Sequence, residues 1–269
     1  MTSSPIALEF RQTGKCAQCP VIDCHGHYGP YGGIYFPNVS PEAMIGTMDR
    51  AGVRFVISSG HMALVDTDRG NQEMADITAR YGDRIKGWWA VNPNYPERIA
   101  RDLETFEQRE GFVGFKFLSD YHLYPITGEA YAPVLEYARA HNLPILMHTW
   151  GGSAYDSPQL VDELASRYPE VTFIMGHSGH GQWDESIRVA TSHERVYLEL
   201  TAAYATCGAV ERMVSGGCSE RMLFGTDLPW FDPHYGIGCI VFAHISDDDR
   251  HNILHRNAER LMGREERRW

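Results

Sequence analysis

The chain has 269 residues, 43% of them hydrophobic, and a formal net charge of −11. That is enough apolar material for a full core, and close to the roughly 250 residues of a single α/β barrel domain. The acidic balance argues against nucleic acid or an anionic membrane as partner, and no run approaches the roughly 20 apolar residues of a membrane span. Met1 to Arg11 lack a basic start followed by an apolar core, so no signal peptide is read and the cytoplasm is the default compartment.

Residues 1–20 read as a polar, irregular N-terminal arm ahead of one domain spanning 21–269. The arm carries Cys16 and Cys19 as a single C-x-x-C. A structural zinc site would need a second ligand pair, and no other C-x-x-C follows. Metal or redox chemistry therefore stands beside plain reduced thiols as a reading. Cys24, Cys207, Cys218 and Cys239 are too scattered for a disulfide framework. The first predicted strand is 21–25, and the Gly-, Pro- and Tyr-rich stretch 28–39 is a loop. Ser40-Pro41-Glu42 has the form of an N-cap, a first-turn proline and a first-turn acid, opening a helix that Gly52 ends. Strands are then predicted at 54–58, 85–91, 112–117, 143–148, 171–176, 196–200 and 222–225. Helices alternate with them at 71–81, 96–109, 131–141, 158–168, 183–192 and 209–215, and two more close the chain at 247–254 and 257–262. Eight apolar runs alternating with helices, about 25–35 residues per unit, predict βα repeats around a parallel sheet. The expected fold is a single-domain (β/α)8 TIM barrel. A doubly wound open sheet is the runner-up, weakened because no G-x-G-x-x-G follows the first strand.

In such a barrel the reacting groups sit at the C-terminal ends of the strands. Residues i and i+2 of a strand share a face. If the geometry of the first strand continues to His27, then His25 and His27 leave it on one side as a half-built metal site. The plain alternative is two polar residues in a surface turn. Later strands shift the balance: the fourth ends near Lys116, the fifth in His148, the sixth in His177 and the eighth in Asp227. Five elements thus deliver ligand or acid–base groups to one rim. Lys116 lies between two phenylalanines, so its charge needs an inward polar partner. His61, His122, His180, Trp150 and Trp230 follow strand ends as candidate substrate-lining residues, with Tyr28 and Tyr31 beside them. Surface-loop placement and barrel-end packing are the rival readings.

These motifs resemble those of the amidohydrolase superfamily of metal-dependent barrel enzymes, in the branch that also holds amidohydrolase-related decarboxylases and lactonases. The matching residues are His25-Gly26-His27, His148, Gly176-His177, Gly225-Thr226-Asp227 and the closing Asn257-Ala258-Glu259-Arg260-Leu261. The resemblance implies a divalent metal, with zinc first and manganese or iron as alternatives, held by His25, His27, His148 and Asp227. It implies Asp227 as general base and His177 as a substrate contact, proton carrier or second-metal ligand. Lys116 is placed either to line the site or, carboxylated, to bridge two metals. The expected activity is hydrolysis of an ester, lactone or amide of a small organic molecule by activated water. The alternative is metal-dependent decarboxylation of a small carboxylic acid, aromatic acids included. A third reading is a barrel kept for binding alone, which the near-complete ligand set disfavours. Homo-oligomers are common in this fold, but no interface can be read.

Overall fold

The structure, a computed structural model, describes residues 4–262. Eight parallel strands follow one another in chain order around a barrel. They are β1 (Val21–Tyr28), β2 (Val53–Gly60), β3 (Ile85–Val91), β4 (Phe112–Phe117), β5 (Pro144–Trp150), β6 (Thr172–His180), β7 (Val196–Glu199) and β8 (Met222–Leu223). The (β/α)8 barrel expected from the alternating pattern is the observed fold. Its last seam, between β8 and β1, closes through a few bonds instead of a long ladder. Cys24 N–H donates to the Phe224 carbonyl at 2.8 Å, and His27 N–H to the Leu228 carbonyl at 2.7 Å.

Two apolar shells hold the barrel. Inside, every strand contributes: Ile22 and Cys24, Ile57, Trp88, Val113, Leu146, Ile174, Tyr197 and Leu223 pack together, with Ala258 and Met262 from the last helix. The neighbouring strand residues, such as Val56, Trp89, Phe115, Ile145, Phe173 and Leu198, face the outer helices. Strands buried on both faces read as unbroken apolar runs, which is why they stand out in the sequence.

The helices match their capping signals. In α2 (Pro41–Ala51), Ser40 Oγ accepts from Ala43 N–H, and Gly52 turns out of the helix at φ 78°. The chain continues through α3 (Thr67–Tyr81), α4 (Pro96–Thr105), α5 (Ser119–His122), α6 (Ala132–His141), α7 (Pro158–Arg167), α8 (Trp183–Ser192) and α9 (Ala209–Met213). After β8 come α10 (Pro233–Val241), α11 (Asp247–His251) and α12 (Asn257–Met262). Between α11 and α12, residues Asn252–Arg256 open into a wider π-helical turn.

The irregular N-terminal arm is corrected. Residues Pro5–Thr13 form a helix, α1, capped by Ser4 Oγ and ended by Gly14 at φ 73°. Ile6 and Phe10, four apart, bury one stripe of it, and Phe10 packs edge-on against Phe242 at 6.2 Å. Cys16 and Cys19 follow as buried free thiols, and burial pushes both up to about 12. Neither is a ready thiolate for redox chemistry. Helix α10, like the single-turn α5, is absent from the expected set: it contains two glycines and little amphipathic contrast. No helix among the described residues is long and apolar enough to cross a membrane.

Candidate active site

At the C-terminal rim of the barrel, β1 and the loop after β8 bring three donors together. His25 Nε2 lies 3.1 Å, and His27 Nε2 3.3 Å, from Asp227 Oδ1. The register shifts between Asp23 and Gly26, which lets His25 point inward directly after the inward Cys24. Asp227 is pinned from behind, its N–H donating to the His25 carbonyl at 2.7 Å. Buried Asp23 secures the same join, accepting from Thr226 Oγ1 at 2.5 Å and Thr226 N–H at 3.1 Å. Burial pushes the Asp23 carboxyl up to about 8.

The outer faces of the imidazoles are held by partners. His25 Nδ1 sits 2.6 Å from Glu199 Oε2, at the end of β7. His148 Nδ1 sits 2.8 Å from Asp156 Oδ2, and Ser59 Oγ is 3.2 Å from His27 Nδ1. With Nδ1 engaged, each ring turns Nε2 towards the barrel mouth; for His25 and His148 this is the usual carboxylate–histidine arrangement behind a metal, and for His27 a serine hydroxyl takes the carboxylate's place. Burial holds the His25, His27 and His177 imidazoles well below their ordinary range, so they are neutral and able to donate a lone pair. Burial also acts to raise Asp227, but the facing His25 and His177 rings and Lys116 more than offset it, leaving it below the ordinary carboxylate range.

These residues fit a divalent cation. Among the described residues, His25, His27 and Asp227 form one of three groups whose donor atoms lie within 4.8 Å of one another. Asp227 Oδ1 is buried without a hydrogen-bond partner, as is His177 Nδ1. Two imidazoles and a carboxylate suit zinc or manganese equally well. His148 stands on the same rim, its ring 4.9 Å from that of His177, but outside the three-donor group. Lys116, fully buried, places Nζ 2.7 Å from His25 Nε2, on the approach a cation would use. Burial lowers its ammonium to about 8, so the inward partner expected for this charge is His25 together with the nearby carboxylates.

His177 lies 3.9 Å from Asp227 Oδ2 through Nδ1, and its N–H donates to Glu199 Oε2 at 3.2 Å. Four of the six non-glycine residues with positive φ among those described stand at this rim: His177, Ser178, Ala202 and Asp227. Strain of this kind, roughly 1–3 kcal/mol per residue, persists where surrounding bonds over-determine the backbone. Here the Glu199 and His25 bonds do so.

Above the donors is a cavity of about 200 Å³, walled by Leu64, Tyr121, Trp150, Trp230 and Phe231. It falls below the roughly 300–1,000 Å³ of pockets for drug-sized ligands, so it admits only a small substrate. A wider hollow of about 520 Å³ between Trp183 and Arg212 is lined by none of the donor groups.

His61 lines the cavity but has no free nitrogen. Its Nδ1 bonds the Gly29 carbonyl at 2.6 Å, and its Nε2 accepts from Trp230 Nε1 at 2.8 Å. It stacks on His27 at 4.8 Å and so positions two rings. Two expected lining residues are corrected. His122 turns away and bonds the Ala63 carbonyl at 3.1 Å, its place taken by Tyr121. His180 is on β6, not on a free loop, and stacks on the far face of Trp150 at 4.3 Å. The sequence reading missed Glu199, Asp23 and Asp156. Glu199 carries a signal, an acid in the apolar run Val196-Tyr197-Leu198-Glu199-Leu200; Asp156 has none.

The amidohydrolase family model matches residues 22–264. The chain belongs to this family, in the amidohydrolase-related branch, and is an enzyme of the amidohydrolase superfamily. A curated relative, γ-resorcylate decarboxylase of Polaromonas sp. strain JS666, is 24% identical over 278 residues, covering 80% of this chain and 85% of its own. The fold is shared with 2,6-dihydroxybenzoate decarboxylase from Rhizobium, with a TM-score of 0.73 and 17% identity over 91% of this chain and 98% of the other. It is shared too with 5-carboxyvanillate decarboxylase of Novosphingobium aromaticivorans, solved with manganese and 4-hydroxy-3-methoxy-5-nitrobenzoic acid. That match has a TM-score of 0.71 and 15% identity, over 91% of this chain and 96% of the other. The expectation of ester, lactone or amide hydrolysis is corrected by these findings: the curated relative and both of these solved enzymes are decarboxylases.

Proposed function

We propose that the protein is a metal-dependent decarboxylase of a small, hydroxylated aromatic carboxylic acid. The likeness to the γ-resorcylate decarboxylase supports this reading, and the small aromatic-walled cavity over the His25, His27 and Asp227 donors agrees with it. The bound cation would be held by His25, His27 and Asp227 with His148 beside them, and would supply Lewis-acid charge and orientation to the substrate's carboxylate. Manganese is proposed ahead of zinc, since two of the similar solved enzymes hold manganese.

The residues of this chain divide the remaining work. Trp150 and Trp230 flank the ring, and Lys116 faces its anionic end. Asp227 rests ionised and takes the proton of the substrate's hydroxyl as the ring docks, with His177 beside it to hold the proton in line. The bond between ring carbon and carboxylate then breaks. Carbon dioxide leaves, the electron pair stays on the ring carbon, and that carbon receives the proton from Asp227. Water restores the hydroxyl proton, so that the net change is one proton for one carbon dioxide.

The test is to load the full chain with Mn²⁺ and incubate it with 2,6-dihydroxybenzoate and 5-carboxyvanillate, measuring released carbon dioxide. Release from one of these acids, lost in His25→Ala and Asp227→Asn, is expected. A folded, metal-loaded protein that decarboxylates neither them nor a panel of related hydroxybenzoates would overturn the reading.

A further inference from the structure

We propose a second metal site, formed by Cys19, His251 and His255 at the opposite end of the barrel from the first. The lead-in cysteines lack a second ligand pair nearby in sequence, and the fold brings one from the far end of the chain. The Cys19 sulfur and one ring nitrogen from each of His251 and His255 lie within 4.8 Å of one another. The two imidazoles converge, with His251 Nδ1 only 3.0 Å from His255 Nε2. His255 Nδ1 is buried and makes no hydrogen bond; Glu259 Oε2 is 3.1 Å away but out of line for one. A cation on Nε2 would leave Nδ1–H to turn onto Glu259, the same carboxylate–histidine backing that His25 has in Glu199.

The backbone is shaped around this cluster. His251 ends α11, and His255 lies in the π-helical turn Asn252–Arg256; such turns are frequent at functional sites. Arg256, whose charge bears on both Cys19 and His251, is drawn off by Asp248 at 3.1 Å. Cys19 has no exposed surface, while both histidines are partly open, so an ion has a route in. One sulfur and two nitrogens select a borderline-soft ion, Zn²⁺, over the oxygen-seeking Mg²⁺ or Ca²⁺. A coordinated thiol is deprotonated outright, which reverses the effect of its burial.

The location gives the site a role. Cys19 lies two residues before β1, and the histidines follow β8. These strands form the seam that closes through a few bonds; β1 carries His25 and His27, and the loop after β8 carries Asp227. An ion here staples the barrel shut from beneath, at the face where TIM barrels place stability instead of catalysis.

Cobalt tests this apart from activity. The reduced full chain is stripped of metal and titrated with Co²⁺. A sulfur-to-cobalt charge-transfer band in the near ultraviolet is expected, which the nitrogen-and-oxygen donors at the other end cannot give. It should persist in Asp227→Asn and vanish in Cys19→Ser and in His255→Ala. Zn²⁺ should displace it and raise Tm in the wild type but not in His255→Ala. Should Cys19→Ser fail to fold, His251→Ala, at a partly exposed position, takes its place. A folded wild type without the band, a band that survives in these variants, or a Cys16–Cys19 disulfide as the resting state would overturn the proposal.

Discussion

Glu199→Gln separates positioning of the metal ligands from ligation itself. Glu199 is fully buried and accepts four hydrogen bonds. Oε2 takes His25 Nδ1 at 2.6 Å and His177 N–H at 3.2 Å, and Oε1 takes Thr201 N–H and Oγ1, each at 2.6 Å. Glutamine preserves the volume but has only one acceptor oxygen. If that oxygen stays with Thr201, the amide NH₂ faces two donors, and His25 relieves the clash only by moving its proton to Nε2, the atom meant for the cation. If it turns to His25, two Thr201 donors are stranded. Changes behind a metal-bound histidine cost about 10–100-fold in metal affinity. At about 1.4 kcal/mol per tenfold that is roughly 1.4–2.8 kcal/mol. Calorimetric titration of metal-free protein with Mn²⁺ reads it directly, with circular dichroism as the control for folding. A folded variant with an unchanged Kd would refute the claim that Glu199 sets the His25 tautomer.

Lys116→Met removes the amine that contends for His25 Nε2; Mn²⁺ should bind on the order of tenfold tighter while carbon dioxide release falls, and weaker binding would refute the competition. Phe10→Ala should cost about 3 kcal/mol, seen as a lower Tm, if residues 5–13 form a packed helix, and nothing if they form a loose arm. Asp162 joins α7 to α8, bonding Arg188 Nη2 and His193 Nε2 at 2.7 Å each. The Arg188 bond foremost, aided by His193 and outweighing burial, holds its carboxyl below the ordinary range. Because its folded pKa is depressed, its stabilisation is present above the unfolded value of about 3.9 and lost as pH falls through the folded one. Asp162→Asn should therefore lower stability by about 0.5–1 kcal/mol at pH 7, with the deficit disappearing in acid; a Tm deficit constant across pH would contradict this.

The barrel was legible because strands buried on both faces leave unbroken apolar runs, and because a histidine or acid placed directly after such a run is costly unless it is used. That logic reached His25, His27, His148, His177 and Asp227. It failed where direction depends on partners far along the chain. His122 and His180 follow strand ends as His177 does, yet Ala63 and Trp150 claim their rings. Helix α1 was hidden by a polar surface, although Ser4-Pro5 and the Ile6–Phe10 spacing carried its cap and stripe. Asp156 was invisible, since it lies eight positions beyond the ring it orients, across the loop that follows β5.

Hydrolysis and decarboxylation were the hardest readings to tell apart, for a chemical reason. Two imidazoles, a carboxylate and a cation polarise an ester carbonyl and grip an aromatic carboxylate with the same atoms, so ligand identity does not encode which bond breaks. What differs is the space above the donors. Hydrolysis needs a water held in line with a carbonyl carbon, whereas decarboxylation needs a flat ring clamped so that its carboxylate oxygens would face the cation and the ring carbon that bears them faces a proton donor. The walls that would clamp it, Trp150, Trp230 and Phe231, come from the end of β5 and the loop after β8. Trp230 is held by His61 from the loop after β2, and His61 in turn stacks on His27, one of the three proposed ligands. Ring clamp and metal donors are thus one mechanical unit, so His61→Ala should disturb substrate selection and metal affinity together.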